Sequence, residues 1–171
     1  MKASSVIVGL GARLFAWSRS LADLWARRAD VLVNAETPWT PLRKDPRECA
    51  VALVTTAGVH LPSDAPFDMR DRRGDPSYRE IPADTPGRLL SITHDYYDHR
   101  DADRDVNVVF PVDRLRELAA GGEIGRLAPA HYSFMGHVTG PHVPTLRDAS
   151  SREVARKLGG AGVDLALLSP A

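Results

Sequence analysis

The sequence predicts an α/β layered fold, with a mainly parallel sheet and flanking helices behind an amphipathic N-terminal helix. Three observations predict it. The run Cys49-Ala50-Val51-Ala52-Leu53-Val54-Thr55-Thr56 is continuously apolar until its end, as in a strand buried on both faces. Val163-Asp164-Leu165-Ala166-Leu167-Leu168 repeats that texture near the other end of the chain. Helical patterns and long loops separate the strand candidates, an alternation that builds parallel sheets rather than hairpins.

From Ala12 to Val33, Leu14, Trp17, Leu21, Leu24, Trp25 and Leu32 recur at three- and four-residue intervals, with Arg13, Arg19, Asp23, Arg27 and Arg28 between them. This is a leading helix, assigned to residues 1–36; its Trp and Leu stripe packs on its own core or serves as a partner surface. Thr37-Pro38-Trp39-Thr40-Pro41 ends it, because proline removes a donor and fixes φ. Residues 37–171 then form the α/β domain. After the first strand, Gly58 permits a tight turn into Val59-His60. Pro62 to Pro86 carries five prolines and many charges, an irregular excursion of a length that often has a function.

A second strand is expected over Arg88 to Thr93 and a short third over Val106 to Phe110. Pro111 to Gly122 reads as a helix, with proline and Asp113 near its start and glycine at its end. A loop carries Ala130 to His137, a last helix runs from Leu146 to Leu158, and Val163 to Leu168 is expected as a final buried strand. The chain stops shortly after it, at the sheet edge where α/β proteins bind ligands, so the sheet reads as unfinished.

Composition narrows the function classes. The 171 residues are 43% hydrophobic and 26% charged, with 22 basic and 22 acidic side chains. A balanced charge gives no nucleic-acid footprint. The apolar run at Val6 to Leu10 is broken by Arg13, far too short to span a bilayer, and followed by no cleavage pattern, so a cytoplasmic protein is expected. One cysteine, Cys49, allows no internal disulfide or cysteine-type zinc site and reads as a small buried hydrophobe.

The densest chemistry lies in Ser91 to Asp103, where His94, Asp95, Tyr96, Tyr97, Asp98, His99, Asp101 and Asp103 follow a strand candidate. Imidazoles and carboxylates move protons, hold metals or grip polar substrates. Three readings stay open: a substrate or acid–base site, a metal site, or an acidic loop whose aspartates cap a turn. The five-residue spacing of His94 and His99 fits no single helix face, and neither HExxH nor HxHxDH is present. Thr55-Thr56-Ala57-Gly58-Val59-His60 offers hydroxyls and N–H groups that suit a carboxylate or phosphate, or that simply stabilise a turn. His131-Tyr132-Ser133-Phe134-Met135-Gly136-His137 pairs an imidazole with a phenol, an acid–base couple if both face a cleft and a core plug otherwise.

Taken in order, Leu53 to Leu61, Pro66-Phe67-Asp68, Gly74 to Arg79, Thr93 to Asp103, Phe110 to Leu115 and His131 to Gly136 resemble the selenoprotein B family of glycine, sarcosine, betaine and D-proline reductases. The resemblance covers roughly residues 38 to 171 and excludes the N-terminal helix. It implies reductive cleavage of a carbon–nitrogen bond in a small amino acid or amine. A selenocysteine or cysteine attacks the substrate carbon, and dithiols supply electrons through other complex subunits or a thioredoxin-like donor. A selenolate suits this because it is ionised at neutral pH and strongly nucleophilic. It also implies that the reactive residue follows the last strand, beyond Ala171, so that this chain holds no cofactor and a UGA codon read as a stop accounts for its end. A short paralogue without redox chemistry is the competing account.

In that reading His94, Asp98, His99 and His131 are the catalytic candidates, one histidine protonating the departing amine. Thr55, Thr56, His60, Asp95 and Tyr132 are the substrate-binding candidates, and no metal is expected. Two other classes remain: a metal-dependent hydrolase using His94, Asp98 and His99, and a non-catalytic subunit docking through the Trp17/Trp25 face.

Overall fold

β1 (Ala50–Thr55) is the axis of the sheet, and all of its residues except Val54 are buried. The structure, a computed structural model, describes residues 40–171 together with Ser18, Ser20, Asp23 and Leu24. The chain divides into two units, Met1–Pro41 with Asp95–Asp98 and Leu42–His94 with His99–Ala171. In the first, Ser20, Asp23 and Leu24 are helical and residues 95–97 form a bend; most of the expected leading helix, with Trp17 and Trp25, lies outside the described residues. The elements below belong to the second unit.

In chain order these are β1, β2 (Val59–His60), β3 (Arg79–Pro82), β4 (Ser91–Ile92), α1 (Val112–Ala120), β5 (Arg126–Leu127), β6 (Ala130–Ser133), α2 (His142–Thr145), α3 (Ser151–Gly160) and β7 (Leu165–Ser169). β5, β6 and β7 all run parallel to β1, whereas β3 runs antiparallel to β6. The expected mainly parallel α/β sheet is present. Successive residues of a strand turn their main-chain groups to opposite edges. The Val51 and Thr55 carbonyls accept from Ala128 and Phe134, and the Ala50 carbonyl accepts from Asp164. β5 and β6 therefore share one edge of β1, and β7 takes the other.

Two layers cover the β1–β6 part of the sheet. On one face Tyr132, Phe134 and Val154 of α3 form a cluster with Val54, Tyr78, Ala130, Leu146 and Leu158. On the other, Phe110 lies edge-on to His131 at 6.0 Å between ring centres, and α1 buries Val112 and Leu115. Each of these large side chains contributes roughly 1.5–3 kcal/mol by leaving water. α1 starts where Asn107 Oδ1 accepts the Asp113 N–H at 3.0 Å, with Asp113 itself suited to the positive end of the helix. Before α3 the backbone widens into a π turn, Leu146–Ser150, where the Ser151 hydroxyl reaches the Leu146 carbonyl at 2.6 Å.

Four sequence expectations need correction. Val106 to Phe110 is not a strand: Asp105 caps Asn107 N–H at 3.0 Å and bends Val106–Val108 into a 3-10 turn. Arg88 to Thr93 opens with the 3-10 turn Gly87–Leu89, and only Ser91–Ile92 pairs, antiparallel to β2. The expected loop at Ala130 begins as strand β6. The last strand pairs with β1 along its whole length, yet it is exposed rather than buried: the cluster around α3 gathers residues of β1 and β6 and none of the last strand's own.

Candidate functional site

Parallel alignment brings the carboxyl ends of β1, β6 and β7 together, the position where open α/β sheets bind ligands. Three segments leave this edge side by side: Thr56-Ala57-Gly58, Phe134-Met135-Gly136 and Pro170-Ala171. The Thr56 N–H donates to the Ser169 carbonyl at 3.2 Å, and the Ala171 N–H donates to Thr56 Oγ1 at 3.0 Å. Gly136 is what the crossing requires: a side chain there would come within 2.8 Å of the Ala171 carbonyl oxygen and 3.1 Å of that of Thr56.

His94 supports this edge from beneath. The residue is 3% exposed, and Nε2 accepts the Gly136 N–H at 3.2 Å, which places the ring proton on Nδ1. Burial, helped by the nearby His137 and His99 rings, pushes its pKa down to about 4. At neutral pH His94 is an uncharged acceptor that orients the Met135–Gly136 turn. Gly58 anchors the other side, with φ of +70° and a Cβ that would lie 2.4 Å from the Thr93 carbonyl oxygen. Its N–H donates to Phe134 and its carbonyl accepts from Thr93, both at 2.9 Å.

The remaining candidates separate. Thr55 is fully buried; its hydroxyl accepts the Ala57 N–H at 3.1 Å and lies 2.9 and 3.0 Å from the Val109 and Ser169 carbonyls. The N–H groups of Thr56, Ala57 and Gly58 are thus all engaged within the protein, so the turn holds the sheet edge together rather than offering an empty anion cradle. His60 donates from Nδ1 to the Leu61 carbonyl and accepts at Nε2 from the Thr93 hydroxyl, each at 2.8 Å. It also meets Phe67 edge-on, so both ring nitrogens serve local packing.

His131 and Tyr132 are consecutive in a strand and face opposite sides of the sheet, so they form no side-by-side acid–base couple. His131 is fully buried and its Nδ1 accepts the Leu53 N–H at 3.1 Å, filling the gap between β5 and β6 on β1. Desolvation pushes its pKa down to about 4. Its Nε2 and Ser133 Oγ are buried without a hydrogen-bond partner among the described residues. Tyr132 sits in the α3 core, its ring 5.9 Å from that of Tyr78, and burial raises its phenol pKa.

The dense run from Ser91 is split between the two units. Asp95 and Asp98 are exposed and belong to the first; His94 and His99 belong to the second. His99 Nδ1 pairs with Asp103 Oδ2 at 2.8 Å on the surface. Among the described residues no three His, Cys, Asp or Glu side chains converge as for a metal ion. A cleft of about 440 Å³ opens nearby, lined by Arg88, Ser91, Asp103, Arg104, Asn107 and Asp113 among others. Its Asp113 carboxylate is already taken by Asn107 and Arg116.

Sequence reasoning missed two features of the edge. Gly136 appears in it only as part of a motif, although its lack of a side chain admits the Ala171 segment. It also missed the clasp that ties the proline-rich excursion to the segment after β6. There the Thr139 N–H donates to the Arg73 carbonyl at 2.8 Å, His137 Nε2 donates to Arg72 at 3.0 Å, and His142 meets Asp71 at 2.8 Å. The hydrogen bond from His142 lowers the Asp71 pKa. A charge-rich loop preceding a histidine-rich one is a faint signal of this.

Fold and edge together define an α/β protein whose parallel strands β1, β6 and β7 end in register. Residues 31–171 match the family model of glycine/sarcosine/betaine reductase selenoprotein B, and the chain belongs to that family. It is 40% identical over 131 residues to the D-proline reductase subunit gamma of Acetoanaerobium sticklandii, covering 77% of this chain and 52% of that protein. It is 28% identical over 141 residues to the glycine reductase complex component B subunit gamma of Carboxydothermus hydrogenoformans, covering 77% and 30%. Against the betaine reductase complex component B subunit beta of Peptoclostridium acidaminophilum it is 31% identical over 130 residues, 71% of this chain and 28% of that one. The chain thus spans about half the length of the first relative and under a third of the other two. No solved structure matches.

Proposed function

We propose that this chain is a selenoprotein B-type component of a cytoplasmic reductase complex that cleaves the C–N bond of a small amino acid or amine. The attacking selenocysteine or cysteine is carried just beyond Ala171. The observation that supports this is the seating of Ala171 on Thr56 beside Gly136, which the buried His94 holds. A residue following Ala171 starts at the ligand-binding edge of the sheet.

In the reaction the selenolate or thiolate lone pair forms a bond to the substrate carbon, and the C–N bonding pair leaves with nitrogen. A dithiol donor then attacks the selenium or sulfur. The C–Se or C–S pair returns to carbon, which takes a proton; the donor's second thiol then displaces the selenium or sulfur from the mixed bond, restoring the selenolate or thiolate as the donor closes to a disulfide. Carbon gains two electrons and the dithiol loses two. An ammonium substrate leaves as the neutral amine, so the uncharged His94 serves as a positioning residue and no protonated imidazole is required at this step.

The test assays the assembled complex with dithiothreitol and D-proline, glycine, sarcosine or betaine in turn. One substrate is expected to consume one dithiol per C–N bond cleaved. Brief iodoacetate treatment should abolish this, and Cys49→Ser should not. Turnover that survives alkylation, or that Cys49→Ser removes from a folded protein, overturns the reading.

A further inference from the structure

The strand that pairs best with β1 is the one left uncovered. β7 matches β1 in parallel register at five positions, Val51 with Leu165 through Thr55 with Ser169. Leu165, Leu167 and Leu168 are nevertheless 38%, 42% and 70% exposed. Leu165 and Leu167 lie on the His131 face and Leu168 on the α3 face, so β7 is bare on both sides. Parallel strands are normally covered on both faces, because their crossover connections place helices there.

The outer edge of β7 is open as well. The Ser169 carbonyl accepts from Thr56, just past the end of β1, so Ser169, Leu167 and Leu165 turn their main chain inward. Ala166 and Leu168 turn theirs outward, and among the described residues β7 pairs with β1 alone. This edge is apolar and without lysine or proline, the devices that guard a strand meant to stay exposed.

We infer that β7 is an internal strand of a larger sheet. The occupant of its edge and faces is a further α/β segment, the part of the homologous reductase subunit that lies outside the matched region. Length argues for this occupant. The relative at 40% identity shares only 52% of its length with this chain, leaving about as much polypeptide again. That is ample for further strands and the crossover helices that would lie on Leu165, Leu167 and Leu168. The inference rests on the reading above that the chain works as a reductase component, and it names the partner surface.

The test fuses the unmatched segment of the Acetoanaerobium sticklandii D-proline reductase subunit gamma after Ala171 and compares the fusion with the 171-residue chain. Leu168→Asp is expected to lower Tm by about 5 °C or more in the fusion. In the 171-residue chain, where Leu168 is in water, the expected change is within about 1 °C. The Ala166 and Leu168 amides should exchange about a hundredfold more slowly in the fusion.

Equal Tm shifts, or unprotected Ala166 and Leu168 amides in a cooperatively melting fusion, overturn the inference. So does protection that grows with concentration in the 171-residue chain, which would make a second copy the occupant. If the fusion does not melt cooperatively, exchange is measured on the chain co-expressed with the separate segment, and unprotected amides there overturn it too. None of these readouts depends on turnover, so an inactive complex with a protected β7 would refute the functional reading alone.

Discussion

Two imidazoles sealed as hydrogen-bond acceptors make the folded protein sensitive to mild acid. His131 Nδ1 faces the Leu53 N–H and His94 Nε2 faces the Gly136 N–H, so a proton added to either nitrogen meets a donor already there. Burial brings both pKa values from 6.5 down to about 4. The unfolded chain therefore binds more protons than the folded one between these values, and stability falls as pH drops through that window. At about 1.4 kcal/mol per pH unit, lowering pH from about 7.5 to 5 removes about 2 kcal/mol for each ring, or about 4 kcal/mol together. The bonded aspartates, Asp71, Asp75, Asp105, Asp148 and Asp164, have pKa values below 3.8, so their stabilising effect disappears mostly at lower pH. Urea unfolding at both pH values measures the loss. His131→Asn retains an acceptor for Leu53 without titrating, so its loss should be about half that of the wild type. Equal losses in the two proteins, or a wild type as stable at pH 5 as at 7.5, would refute the reasoning.

Three further outcomes follow from individual side chains. Cys49 is fully buried, burial raises its pKa, and its thiol donates to the Asp45 carbonyl at 3.4 Å, so a thiol reagent should label it only after denaturant is added. Gly58→Ala must accept a positive φ and a Cβ lying 2.4 Å from the Thr93 carbonyl oxygen, and should lose at least about 2 kcal/mol in urea unfolding. Thr55→Val leaves the Ala57 N–H without its hydroxyl acceptor and should destabilise by about 1–3 kcal/mol, whereas Thr56→Val should leave stability within about 0.5 kcal/mol because Thr56 reaches only the exposed tail.

The parts of the fold that were legible in the sequence are those whose pattern and burial agree. β1 is apolar because both of its faces are covered, and α1 carries its start and stop signals locally, so each was found within a residue or two. Val106 to Phe110 misled because β-branched residues favour strands on average, while the single Asp105 side chain bends the backbone into a 3-10 turn. β7 misled in the opposite way. Its composition describes the surroundings the strand is suited to, and those surroundings are absent around it.

The candidate site divides along the same line. His94, Thr56 and Gly136 meet only because three parallel strands end together, a long-range fact that no spacing within Ser91 to Asp103 encodes. Residue type alone ranked His131 and His94 as equals, and burial gives them nearly the same depressed pKa. Position tells them apart. His131 fills a gap in the ladder in mid-sheet, whereas His94 acts through Gly136 at the edge where Ala171 is seated on Thr56. Substitution of His131 should therefore be read in stability, and substitution of His94 in how firmly Ala171 is held against Thr56.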